Sequence, residues 1–219
     1  MIESKSWNWE LVDKNSEKWN KPAHEMYYLL NEWTKNGFKD FLDVGCGFGR
    51  NAIFMAKNGF NVSAFDLSES CLQTALEKAK EQNVVLNVCN ADMLKMPYPD
   101  NSFDCLIAFN VISHTDSNGF KKILAEIKRV LKQNGEAFFT VGSKDSASFK
   151  SPKNIPLDDC TIIKVEDGPE NGIPHFYIND EDCKTLFNDF IIKEIRYVRQ
   201  IQQSGKYSAQ YFIWVKNNK

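Results

Sequence analysis

Apolar positions along the chain fall into two alternating rhythms. Short runs at 41–44, 61–65, 84–89, 105–109 and 137–141 read as strands covered on both faces. Between them, apolar residues recur at helical spacing: Ile53, Phe54 and Ala56, then Leu72, Ala75, Leu76 and Ala79, then Phe120, Ile123, Leu124, Ile127 and Leu131. Asn58-Gly59 and Gln133-Asn134-Gly135 supply stops, and Ser68 supplies a start. Upstream, Pro22 suits the first position of a helix that carries Ala23, Met26, Tyr27, Leu30 and Trp33 on one face and ends at Gly37. Downstream, Asn179 caps a helix with Asp180, Glu181 and Asp182 in its first turn and Cys183, Leu186, Phe187 and Phe190 inward. Residues 191–201 and 207–215, joined around Ser204-Gly205-Lys206, read as a closing antiparallel hairpin. The alternation predicts one α/β domain over 1–219: a seven-stranded, mostly parallel sheet with helices on both faces. Residues 142–178 show no periodicity and read as a long irregular connection, which in a compact domain is usually functional or disordered.

The first apolar run breaks into Gly45-Cys46-Gly47-Phe48-Gly49, and a helical pattern starts at once. A strand, a glycine-rich turn and a helix make a ligand cradle, because glycine permits close backbone approach and the new helix offers free N–H groups. Its spacing narrows the choice. The dinucleotide fingerprint needs its third glycine one residue later, where Arg50 stands, and the Gly-Lys-Ser/Thr of a phosphate loop is missing. Asp43 puts a carboxylate beside the loop, where a pyrophosphate would be repelled. A cationic or hydroxyl-rich ligand fits better. Asp66, closing the second run, lies where an acid can accept hydrogen bonds from a ribose diol in a doubly wound fold, or cap the next helix.

Asp43-Val44-Gly45-Cys46-Gly47-Phe48-Gly49 resembles the first motif of class I S-adenosylmethionine (SAM) dependent methyltransferases. Pro97-Tyr98-Pro99-Asp100-Asn101-Ser102-Phe103-Asp104 is similar to the P-x-x-D-x-S-F-D run of small-molecule (methyltransferase type 11) and tellurite-resistance-like members, and 126–135 resembles their E-I-x-R-V-L-K-x-x-G phrase. The resemblance covers about the middle half of the chain, 40–143. It implies a Rossmann-like doubly wound fold, SAM as cofactor with S-adenosylhomocysteine as product, and methyl transfer to an acceptor. It also implies a cofactor site at Asp43, Gly45, Gly47, Gly49, Asp66, Leu67, Asp92, Met93 and Asn110. Asp92 and Met93 match the acid and stacking neighbour that the family presents to the adenine.

Composition trims the partners. With 27 Lys+Arg against 29 Asp+Glu and a net charge of −2, the chain lacks the basic balance of a nucleic-acid binder. No apolar run is long enough to span a bilayer and the first residues show no basic-then-apolar leader, so the expected location is cytoplasmic. The six cysteines form no Cys-x-x-Cys pair and read as buried small hydrophobes in a reducing compartment. Only three histidines occur, and their spacing supports no metal site, so none is expected.

For the chemistry, His114 follows the fourth strand, near where a transferable methyl should project, and His175 closes the long connection. Either could serve as a base toward the acceptor, or bond the loop backbone. The Asn/Asp-Pro-Pro-aromatic run of amino-adenine and amide methyltransferases is replaced by Asn110-Val111-Ile112-Ser113, Cys105 lies inside a strand, and no carboxylate-rich magnesium site can be assembled. A small organic or chalcogen acceptor remains. Residues 1–37 are expected to form an N-terminal lid and helix, and 143–178 an insertion covering the acceptor. Trp19, Tyr27, Tyr28, His175 and Phe176 are candidate walls, and Trp33 a core residue. A SAM-binding module without catalysis and a nicotinamide-dependent oxidoreductase are the alternatives.

Overall fold

The computed structural model describes residues 4–201, 203, 205 and 207–219. Five parallel strands form its centre: β1 (Asp40–Val44), β2 (Asn61–Asp66), β3 (Asn87–Asn90), β4 (Phe103–Ala108) and β5 (Leu131–Ser143). They run in the order β3-β2-β1-β4-β5. The hairpin of β9 (Phe190–Ile201) and β10 (Tyr207–Asn217) extends the sheet antiparallel, β10 against β5 and β9 outside it. Ser204 and Lys206 of the expected turn lie outside the described residues. The Rossmann-like sheet of seven strands is therefore present.

The sheet is covered on both faces because its strand residues alternate between two cores. Leu42, Leu106, Phe139 and Ile213 pack with Phe120 and Ile127 of α4 (Ser117–Val130) and Phe187, just past α5 (Asp180–Leu186). Phe41, Cys105, Phe138 and Phe212 pack with α1 (Glu25–Lys35), α2 (Arg50–Lys57) and α3 (Glu69–Glu81). Trp33 is fully buried, as expected, and its indole N–H donates to Glu136 Oε2 at 3.0 Å. Trp214 donates to the same oxygen at 2.9 Å, and Lys193 donates to Oε1 at 2.6 Å. One carboxylate thus joins α1, β5, β9 and β10.

Three elements depart from the sequence pattern. The third apolar run is not all strand: Asn83 sits at φ 56°, and Asn83 N–H and Val84 N–H donate to Lys80 O and Ala79 O. That is a Schellman closure of α3, so Val84 belongs to a helix cap and β3 starts at Asn87. Helix α4 ends at Val130, before the expected Gln133-Asn134-Gly135 stop. The amide of Asn217, from β10, lies within 3.2 Å of the carbonyls of Lys128, Leu131 and Lys132 and takes over that turn. The connection after β5 is not irregular throughout. It carries β6 (Ile155–Asp158), β7 (Thr161–Ile163) and β8 (Pro174–Ile178) as a small antiparallel sheet. β8 also runs parallel to the end of β5 at Gly142 and Ser143. At three to five residues each, with proline in two, these strands are too short to show a period.

Strand order reverses between β1 and β4, since the chain passes outward to β2 and β3 before returning. The carboxyl ends of β1 and β4 therefore diverge and leave a crevice, the place where open α/β sheets hold ligands.

Candidate active site

The crevice is built first by the glycine loop. Gly47 has φ 53°, and its N–H donates to Asp66 Oδ2 at 2.9 Å. Cys46 N–H donates to Phe65 O at 3.0 Å, so the loop is tied to the end of β2. A Cβ on Gly47 would lie 2.8 Å from Trp9. Gly49 has φ 77° and serves packing instead: a Cβ there would lie 2.9 Å from that of Ala75, where α2 meets α3.

Two buried carboxylates stand in this crevice. Asp43 accepts from Ala52 N–H at 3.1 Å; burial pushes its carboxyl up to about 7, against the Ala52 N–H and the Arg50 charge. Asp66 accepts from Ser68 N–H at 2.9 Å through Oδ1, and burial raises it too, opposed by the N–H groups of Ser68 and Gly47. Across the crevice Asn110 sits at φ 57°, fixed by Thr140: its N–H donates to Thr140 Oγ1 at 2.8 Å, and that hydroxyl donates to Asn110 Oδ1 at 3.0 Å.

The roof comes from the N-terminal segment. Trp7, Trp9 and Trp19 form a cluster with ring centroids 5.3–5.9 Å apart, and Trp9 packs on Phe48 at 4.8 Å. Arg50 fastens this roof to α2, since its Nη1 donates to Lys18 O at 2.7 Å and its guanidinium lies 5.4 Å from the Trp19 ring. Asn8 N–H donates to Pro169 O at 3.0 Å, so the roof also meets the connection between β7 and β8.

Asp43, Gly45, Gly47, Asp66, Leu67, Met93, Asn110 and His114 line this pocket together with the three tryptophans. Gly49 and Asp92 are not among the lining residues; Asp92 Oδ1 accepts from Leu94 N–H at 2.8 Å in a local turn. His175 stands behind His114, with ring centroids 4.6 Å apart, and does not face the pocket. Phe176 stacks on Phe120, Tyr27 packs on Phe54 and Tyr28 on Trp214, all outside the lining. Trp7, Trp9, Phe48 and Arg50 were not among the expected walls, although Trp7 and Trp9 lie in the N-terminal segment expected to form the lid.

His114 lies 5.6 Å from Trp7, and burial holds its imidazole well below the usual histidine range, helped by His175 and opposed by Glu170. It is neutral at neutral pH. His175 Nδ1 lies 3.1 Å from Ile173 O, and its Nε2 faces Glu170 Oε1 at 3.6 Å. The Glu170 carboxyl would be raised by burial, but His175 and Lys164 outweigh this and hold it well below the usual carboxylate range.

A methyltransferase-domain model matches residues 41–135, the part that contains the loop and both carboxylates. A putative methyltransferase of Geobacillus sp. (strain WCH70) is 34% identical over 179 residues, covering 77% of this chain and 72% of that protein. The chain belongs to the class I SAM-dependent methyltransferases. An uncharacterised protein of Methanocaldococcus jannaschii is 35% identical over 122 residues, and the match spans 56% of the methyltransferase chain and about half (49%) of that relative. Among solved structures, the N-methyltransferase NodS from Bradyrhizobium japonicum, in complex with S-adenosylhomocysteine, superposes with a TM-score of 0.67 at 13% identity over 96% of this chain and 95% of its own. That likeness is one of fold. No helix among the described residues is long and apolar enough to cross a membrane.

Proposed function

We propose that this chain transfers the methyl group of SAM to a small-molecule acceptor held between the glycine loop and the N-terminal tryptophans. One observation carries this reading: a single pocket brings together the loop, Asp66 and His114 beneath Trp7, Trp9 and Trp19. The residues fit the cofactor. Gly47 keeps its backbone bare toward the pocket, and Asp66 retains lone pairs beyond the two it gives to N–H groups, enough for a ribose diol. Leu67 and Met93 would flank the adenine, Asn110 would border the methyl-bearing end, and Asp43 would balance the cofactor's positive charge from beneath the loop.

When bound, SAM supplies a methyl group on a sulfonium, whose departure needs no acid. What remains for the protein is alignment and exclusion of water, and well-oriented reactants can gain roughly 7–11 kcal/mol. The tryptophan roof and 143–178, which meet at Asn8 and Pro169, would enclose the acceptor. A neutral His114 on the pocket wall can accept a proton from an acceptor that arrives protonated, with His175 fixing it from behind. An indole-walled pocket suits a small apolar or flat acceptor, and the net charge of −2 offers no electrostatic footprint for nucleic acid.

The test is release of S-adenosylhomocysteine from SAM with a panel of small hydroxyl, amine and thiol acceptors. Turnover is expected with at least one class, and His114→Ala should lower it about 10²-fold or more while leaving SAM affinity nearly intact. Tight binding of SAM with no product from any class would mean a binding module, and unchanged turnover in His114→Ala would remove the proton-accepting role.

A further inference from the structure

Three ligating side chains that lie far apart in sequence converge behind the pocket wall. A ring nitrogen of His114, a ring nitrogen of His175 and a carboxylate oxygen of Glu170 all lie within 4.8 Å of one another. His114 comes from the turn after β4, and the other two come from the connection into β8. We propose that His114, Glu170 and His175 form a binding site for a divalent transition-metal ion of the zinc type.

One contact in this group is unsatisfied. His175 Nδ1 lies 3.1 Å from the carbonyl oxygen of Ile173, which can only accept, so the ring places its proton there. In the neutral ring Nε2 is then a bare lone pair, and among the described residues it has no hydrogen-bond partner although His175 is only 6% exposed; the pull of His175 on the Glu170 carboxyl belongs to the ring carrying a second proton. It faces Glu170 Oε1, another acceptor, at 3.6 Å. Two lone pairs do not attract across such a gap; something positive belongs between them. Ligand atoms about 2.0–2.2 Å from a tetrahedral zinc stand roughly 3.4 Å from each other, close to the 3.6 Å between His175 and Glu170, and the whole group lies within 4.8 Å, so a small inward movement would complete it. An Nδ1–H held by a backbone carbonyl while Nε2 points at the metal position is also the usual second layer of a zinc histidine.

The rest of the surroundings fit an ion. Lys164 pairs with Glu170 through Oε2, which keeps the carboxylate charged and leaves Oε1 turned to the histidines. Two imidazoles and one carboxylate are a zinc donor set that leaves a fourth position open to water. Such an ion would pin the connection before β8 to the wall of the pocket. At the His114 nitrogen it holds, the ion takes the lone pair a proton would use, so metal loading and proton acceptance exclude each other there. The competing arrangement is a second proton on His175, making a plain ion pair with Glu170.

Calorimetric titration of the chelator-treated full chain with Zn²⁺, repeated with Co²⁺ and read by visible absorption, separates the two. The proposal expects one equivalent with micromolar or tighter affinity and the intense cobalt bands of a four-coordinate site. It also expects at least tenfold weaker binding in His175→Ala and in Glu170→Gln. Absence of binding to the unaltered chain overturns it, with no variant needed. Binding left unchanged by both substitutions also overturns it and places the metal elsewhere. S-adenosylhomocysteine titrated into the same samples reports the cofactor pocket separately, so loss of one activity is not mistaken for loss of the other.

Discussion

Replacing Asp43 by asparagine should stabilise the ligand-free methyltransferase, and should do so only above a particular pH. The carboxyl is raised by burial to about 7 in the folded chain, against an ordinary value of 3.8. Between these values the folded chain holds a proton that the unfolded chain has lost, so Asp43 opposes folding increasingly as pH rises from about 4 to about 7, and the effect levels off above that. A gap of about three pH units, at about 1.36 kcal/mol each, sets a ceiling of about 4 kcal/mol at pH 8. The substituted side chain has no charge to bury, and its amide oxygen can still accept from Ala52 N–H. The gain should therefore be about 2–4 kcal/mol at pH 8 and vanish near pH 4. His114 works the other way: its imidazole is depressed, so its contribution is lost as pH falls below 6.5. That effect is common to both proteins and cancels in the difference. Urea unfolding followed by tryptophan fluorescence, from pH 4 to 8, measures the difference directly. A difference that does not change with pH, or an Asp43→Asn variant less stable at pH 8, would refute the reasoning.

Further outcomes follow from the same contacts. Gly47→Val should abolish SAM binding, because the position has φ 53° and a Cβ there already meets Trp9, while Asp66→Ala should weaken binding by about 1–3 kcal/mol; calorimetry reads both. Glu136→Leu leaves two buried indole N–H groups unpaired and should cost about 2–4 kcal/mol in urea unfolding, whereas Glu136→Gln keeps an oxygen for both indoles and should cost about 1. Hydrogen exchange at 7–28 and 143–178 should slow when S-adenosylhomocysteine binds, and equal rates with and without it would make both segments passive packing.

The centre of the sheet was legible because strands such as β1 and β4 are buried on both faces, and unbroken runs such as Phe41-Leu42 betray that without a partner. The loop was legible because Gly45, Gly47 and Asp66 are local signals at fixed places in a βαβ unit. Boundaries set by distant groups were not. Asn217 ends α4 from about ninety residues away, and no pattern near Val130 announces it. Val84 reads as strand by composition, yet its N–H closes a helix. Glu170 was illegible for a similar reason: it lies in a polar, aperiodic stretch, and only the β7–β8 pairing carries it to His114. His114 was chosen for its place after the fourth strand and His175 for its place at the exit of the long connection, and folding sets their rings 4.6 Å apart, a proximity that sixty-one positions of sequence do not suggest.

The central claim is that SAM occupies the glycine-loop pocket with the N-terminal tryptophans closing over it. Titration of the full chain with S-adenosylhomocysteine, read by tryptophan fluorescence, tests this most directly, because Trp7, Trp9 and Trp19 all line that pocket. The account predicts a saturable change at one equivalent, lost in Gly47→Val and shrunken in Trp9→Leu, where the indole against the loop is gone. A calorimetrically tight complex with no change in fluorescence, or one that Gly47→Val leaves intact, would place the cofactor elsewhere and contradict it.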